Sequence, residues 1–83
     1  MNKLLVTVEA EYRIASSKYP PFHSTHEGYA VIKEEVDELW DMVKANKGIN
    51  GNTEMRKEAI QIAAMALRFI VDLCSQEVME LKI

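Results

Sequence analysis

Cysteine occurs once in this 83-residue sequence, at Cys74. A lone cysteine excludes an internal disulfide and a zinc site of the CxxC kind. Long hydrophobic runs are lacking too. The longest apolar stretch, Ile60 to Cys74, is interrupted by Gln61, Arg68 and Asp72 and is too short to span a bilayer. The N-terminus, MNKLLVTVEAEYR, meets glutamates before the apolar run of a signal peptide can develop. These absences predict a cytoplasmic protein with no membrane partner. Charge of one sign is also scarce. A formal net charge of −3 names no partner, and it argues against nonspecific nucleic-acid binding, which wants a basic face.

What is present is apolar content, 48% of the chain, enough to expect a folded core rather than disorder. At this length residues 1–83 form a single domain, close to the size at which a lone core is marginal. Small apolar chains of this kind complete their cores by self-association.

Periodicity predicts three helices and no strands, an all-α fold. In the first, from about Asn2 to Lys18, Leu5, Val8, Tyr12, Ala15 and Tyr19 recur at spacings of three and four. Pro20 and Pro21 end it, since neither can donate the helical hydrogen bond. The second opens at Ser24-Thr25-His26-Glu27, a capping box. Its predicted core stripe is Tyr29, Ile32, Val36, Leu39 or Trp40, and Val43. Residues 46–51, Asn-Lys-Gly-Ile-Asn-Gly, then suit a turn with left-handed positions.

Asn52 or Thr53 is expected to cap the third helix, which continues to at least Leu73. One stripe of this helix is Ile60, Ala63, Leu67 and Ile70; another is Ile62, Met65, Phe69 and Leu73. A helix apolar on both sides must be buried on both. The expected architecture is a three-helix subunit whose second and third helices form an antiparallel hairpin. It assembles into a helical bundle, as a dimer or tetramer. The tail SQEVMELKI extends the third helix, crosses to a partner or frays. Met55, Met65 and Met79 read as adaptable filler, Trp40 as packing, Cys74 as an inert thiol, and His23 and His26 as surface groups.

The segment EEVDEL, Glu34 to Leu39, carries four carboxylates in six residues. At about 100° per residue, Glu35 and Glu38 fall in one sector with Val31 and Met42, whereas Asp37 points away. On the third helix Glu58 and Gln61 are likewise three apart. If the two helices run antiparallel, both pairs can meet. Three carboxylates and an amide oxygen then suit a hard cation such as Mg²⁺. The other reading of the same residues is an ordinary solvated acidic face, and periodicity leaves both open.

The chain resembles the MazG-type all-α nucleoside triphosphate pyrophosphohydrolases, whose pattern is EExxE, a spacer, then ExxD. Glu34-Glu35-Val-Asp-Glu38 supplies the first part and Glu58-Ala-Ile-Gln61 the second, with Gln61 where that pattern has aspartate. The likeness covers about residues 23 to 73. It implies a Mg²⁺-dependent hydrolase that converts a nucleoside triphosphate to the monophosphate and pyrophosphate. Glu35, Glu38, Glu58 and Gln61 would be metal ligands, and Glu34 a general base or outer-shell acid. Lys57 and Arg68 would reach the phosphates. Gln61 brings no charge and holds a cation more weakly than aspartate, so either the site binds one metal where relatives bind two, or Asp72 or the substrate phosphates make up the deficit, or the activity is impaired or lost. The alternative is a non-enzymatic helical module that keeps the fold without the chemistry.

Overall fold

The structure, a computed structural model, describes residues 1–45 and 48–74, with the backbone alone at 48–50. Three helices account for nearly all of them: α1 (Asn2–Lys18), α2 (Thr25–Ala45) and α3 (Gly48–Leu73). No strand occurs among the described residues, and none of their helices is long and apolar enough to cross a membrane. The expected behaviour of the tail after Cys74, and of Met79 within it, lies outside the described residues, as do positions 46 and 47 of the predicted turn.

α1 has the predicted bounds. Tyr19 adopts an extended conformation (φ −125°, ψ 146°), the geometry that a following proline imposes. The start of α2 is the capping turn foreseen in the sequence. Ser24 Oγ accepts from the Glu27 amide at 3.1 Å, and the Glu27 carboxylate accepts from the amide of His23 at 2.6 Å, one residue earlier than the usual partner.

α3 begins at Gly48, about one turn before the predicted cap. Gly51 therefore sits inside the helix and is buried. Glycine inside a helix costs about 1 kcal/mol relative to alanine. α3 is also the central element. α1 and α2 both pack on it and, among the described residues, not on each other. The core is correspondingly thin: Ala15, Phe22, Ile60, Ala64 and Met65 are buried, with Tyr12, Val31, Ile32, Phe69 and Leu73 packed around them.

The facing of α2 differs from the predicted stripe. Tyr29, Val36, Trp40 and Val43 are exposed, whereas Gly28, Val31, Ile32, Glu35, Leu39 and Met42 are buried or half-buried. The buried face is thus turned by about 90° from Val36, at 100° per residue, and is centred on Glu35. Gly28 is the physical reason. A Cβ there would lie 2.6 Å from the Phe69 ring, so only glycine lets this face approach α3 so closely. The end of α3 meets Gly28 through Phe69 and Leu73, and Glu58, much earlier in α3, meets Glu35 and Glu38 farther along α2.

On α3 the stripe of Met65, Phe69 and Leu73 packs within the chain. Leu67 and Ile70, of the other stripe, remain 38% and 43% exposed. A single chain does not enclose its central helix.

Candidate functional site

Because α2 turns Glu35 toward α3, the two glutamates of the i, i+3 pair reach Glu58. Each of Glu35, Glu38 and Glu58 offers a carboxylate oxygen, and these oxygens lie within 4.8 Å of one another. Glu58 is half-buried, and its Oε2 is fully buried without a hydrogen-bond partner. Three ionised carboxylates have no donor to share, so each proton or cation that arrives is favoured. The Glu38 carboxyl is accordingly raised above its ordinary value, chiefly by the Glu58 carboxyl beside it and then by burial and the charges of Glu34 and Asp41. Burial is the main cause that raises Glu58, followed by the neighbouring Glu35 carboxyl. Asp37 is outside the group. It pairs on the surface with Lys33 at 2.9 Å, as an i, i+4 bridge.

This donor set fits a hard divalent cation. Ligand oxygens on an octahedral magnesium lie about 3 Å apart when adjacent and about 4.2 Å apart when opposite, so oxygens within 4.8 Å of one another would draw closer by side-chain adjustment to share one ion. The buried, unpartnered Glu58 oxygen supplies a ligand atom that nothing in the chain uses.

The remaining site candidates are placed differently. Gln61 is drawn toward α1, where its Nε2 donates to Glu11 at 3.0 Å. Lys57 is exposed beside Glu54 at 3.6 Å. Glu34 is exposed and lies outside the three-carboxylate group, although its charge helps to raise Glu38. Arg68 is 4% exposed, far from a surface lysine in character. Its guanidinium donates to the Pro20 carbonyl at 2.9 Å, stacks 4.4 Å from the centre of the Phe22 ring, and approaches Asp72 at 3.9 Å. Asp72 in turn accepts from the Phe22 amide at 3.1 Å. Arg68 and Asp72 thereby clamp the α1–α2 connection to the end of α3, and Asp72 is committed to that clamp.

That clamp roofs a cavity of about 350 Å³, lined by Tyr19, Pro20 and Phe22 of the connection, by Glu27, Val31 and Glu34 of α2, and by Met65 and Arg68 of α3. Sequence reasoning missed this cavity and the role of Glu11. For Glu11 a signal existed. It stands three residues after Val8 and four before Ala15, so helical spacing puts it beside the apolar stripe. The cavity had none, since it forms between residues nearly fifty positions apart. His23 and His26 are exposed, and His23 lies 3.5 Å from Glu27. Compared with known proteins, the chain matches no family model, no curated protein and no solved structure.

Proposed function

We propose that the protein is a Mg²⁺-dependent nucleoside triphosphate pyrophosphohydrolase of the MazG type, acting in the cytoplasm. The observation that carries this reading is the convergence of Glu35, Glu38 and Glu58, with a buried Glu58 oxygen left without a partner. Its sequence support is the EExxE and ExxQ arrangement. In this proposal α2 and α3 form an antiparallel hairpin, which the meeting of Gly28 with Phe69 and of Glu35 and Glu38 with Glu58 supports. A second copy covers Leu67 and Ile70, giving a dimer or a dimer of dimers.

Bound magnesium would neutralise the triphosphate and lower the pKa of an attacking water, with cleavage between the α- and β-phosphates. The chain's own part is to hold that charge. Glu35, Glu38 and Glu58 are the oxygen ligands, kept together by the close contact of α2 with α3. Glu34 adds negative charge just outside the ligands, the outer-shell half of its expected role. Gln61 contributes its amide to Glu11 and leaves its own oxygen as the free acceptor of that side chain. Lys57 stands close to Glu58 in sequence and is exposed, open to a phosphate.

A second reading, a non-enzymatic helical module, is favoured by one observation: the amide at position 61 is engaged by α1, so one carboxylate of the pattern is both absent and replaced by a structural contact. Incubation with a panel of nucleoside triphosphates and Mg²⁺, followed by a pyrophosphate assay, separates the two. Magnesium-dependent pyrophosphate release supports the enzyme. Its absence, together with unchanged thermal stability in Mg²⁺, supports the module.

A further inference from the structure

We propose that Glu11 of α1 is a positioning residue for the metal site, holding the amide of Gln61 so that its oxygen is presented to the cation. This rests on the metal-dependent reading given above.

The Glu11–Gln61 hydrogen bond joins α1 to α3 across fifty positions of sequence, and both side chains are half-buried. It fixes which way the amide points. A carboxylate can only accept and an amide donates through its nitrogen alone, so a flipped amide would set oxygen against oxygen. Nε2 therefore faces Glu11, at 3.0 Å, and the oxygen is left as the free acceptor of that side chain.

Helical position brings that oxygen to the side of the carboxylates. At about 100° per residue, Gln61 lies on α3 about 60° from both Glu58 and Ala64, between the two. Glu58 meets Glu35 and Glu38 of α2, whereas Ala64 is buried in the core with Ala15 of α1. Gln61 thus stands on the edge of α3 that faces both neighbours. The nitrogen and oxygen of a planar amide occupy opposite branches, so a nitrogen held toward α1 leaves the oxygen on the side of Glu58.

For a cation the pairing matters beyond orientation. An amide whose N–H donates to a carboxylate carries more negative charge on its oxygen, which strengthens it as a ligand. Glu11 also adds negative charge one amide removed from the ion. The same arrangement backs many metal-bound histidines, where loss of the outer partner costs about 10–100-fold in metal affinity. A purely structural tie between α1 and α3 would need none of this, only a hydrogen bond.

Glu11→Gln separates the two roles. It keeps the size of the side chain and can still hydrogen-bond to Gln61, so the fold should be retained. Its own amide both donates and accepts, however, and no longer dictates which branch of Gln61 faces it. Mg²⁺ titration by calorimetry should show binding at least about tenfold weaker. In a Gln61→Leu background the same substitution should have no further effect, because Glu11 acts through that amide. On the parent chain, the NMR signal of the Gln61 side-chain carbonyl carbon should move as Mg²⁺ is added.

Unchanged Mg²⁺ affinity in Glu11→Gln overturns the proposal and leaves a structural tie. An equal loss in the Gln61→Leu background overturns it too, as the signature of a distant charge. So does a Gln61 carbonyl signal that stays still throughout the titration, a readout that needs no variant to fold. The hydrolase reading fails separately. The expected coupling, without pyrophosphate release from any nucleoside triphosphate, keeps Glu11 in this role and removes the hydrolase. Magnesium-dependent hydrolysis by a chain whose Glu11→Gln variant binds Mg²⁺ as tightly as the parent does the reverse.

Discussion

Gly28→Ala tests whether the close approach of α2 to α3 builds the carboxylate group. The added Cβ would meet Phe69 Cδ2 at 2.6 Å, Phe69 Cε2 at 2.9 Å and Leu73 Cδ1 at 3.1 Å. To reach the 3.4 Å of ordinary contact the Phe69 ring, or the helix carrying it, must retreat by about 0.8 Å. Overpacking of this kind costs about 1–3 kcal/mol, and alanine recovers about 1 kcal/mol through better helix propensity. The net expectation is a destabilisation of about 1 kcal/mol, or about 4–8 °C in Tm for a domain of this size. Glu35 stands seven residues, two helical turns, after Gly28 on the same face. A retreat at Gly28 therefore also parts Glu35 and Glu38 from Glu58, and the stabilisation by Mg²⁺ should shrink. Urea unfolding and thermal melts with and without Mg²⁺ measure both effects. Phe69→Leu in the Gly28→Ala background should restore part of the loss, as a double-mutant cycle would show. An alanine variant as stable as the parent, with the same response to magnesium, would refute the close approach and its link to the site.

Four further outcomes follow from the same geometry. Glu58→Gln or Glu38→Gln should abolish the Mg²⁺-dependent thermal shift and any pyrophosphate release, whereas Asp37→Asn, which loses only a surface pair with Lys33, should alter neither. Gln61→Asp should tighten Mg²⁺ binding by restoring a carboxylate, and more so combined with Glu11→Gln, which removes the charge that the new aspartate would face; titration followed by thermal shift reads both. Raised carboxyls bind protons more tightly in the folded state, so their contribution is full below about the ordinary value of 4.5 and is lost as pH rises through their raised values. The metal-free protein should thus gain stability as pH falls from neutrality toward 4.5, and saturating Mg²⁺ should flatten that gain. The lowered Glu27 carboxyl, held by the His23 amide, acts with the opposite sign and only below that range. Finally, Leu67→Glu or Ile70→Lys should dissociate or unfold the protein by placing a charge at the proposed subunit contact, and light scattering that finds a well-folded monomer of the parent chain at micromolar concentration would sink the proposed assembly.

Local chemistry was enough to define α1 and the start of α2. The prolines after Tyr19 and the Ser24–Glu27 capping turn act on their immediate neighbours, so no distant contact is needed to place them. The same holds for the grouping of Glu35 with Glu38, and for the separation of Asp37 from both, which follow from helical spacing alone. Which side of α2 packs on α3 did not follow. α2 carries two apolar sides, one through Val31 and Met42 and one through Tyr29, Val36 and Trp40. Periodicity weighs them by side-chain size, whereas the chain chose the side where Gly28 permits contact with Phe69. Nor did the sequence show that Gly51, expected in a turn, is a buried point within α3. The Glu11–Gln61 hydrogen bond and the Arg68–Asp72 clamp join residues about fifty positions apart. Such partners are decided by how α1 and the α1–α2 connection dock on α3, a choice that only the tertiary packing of a thin core makes.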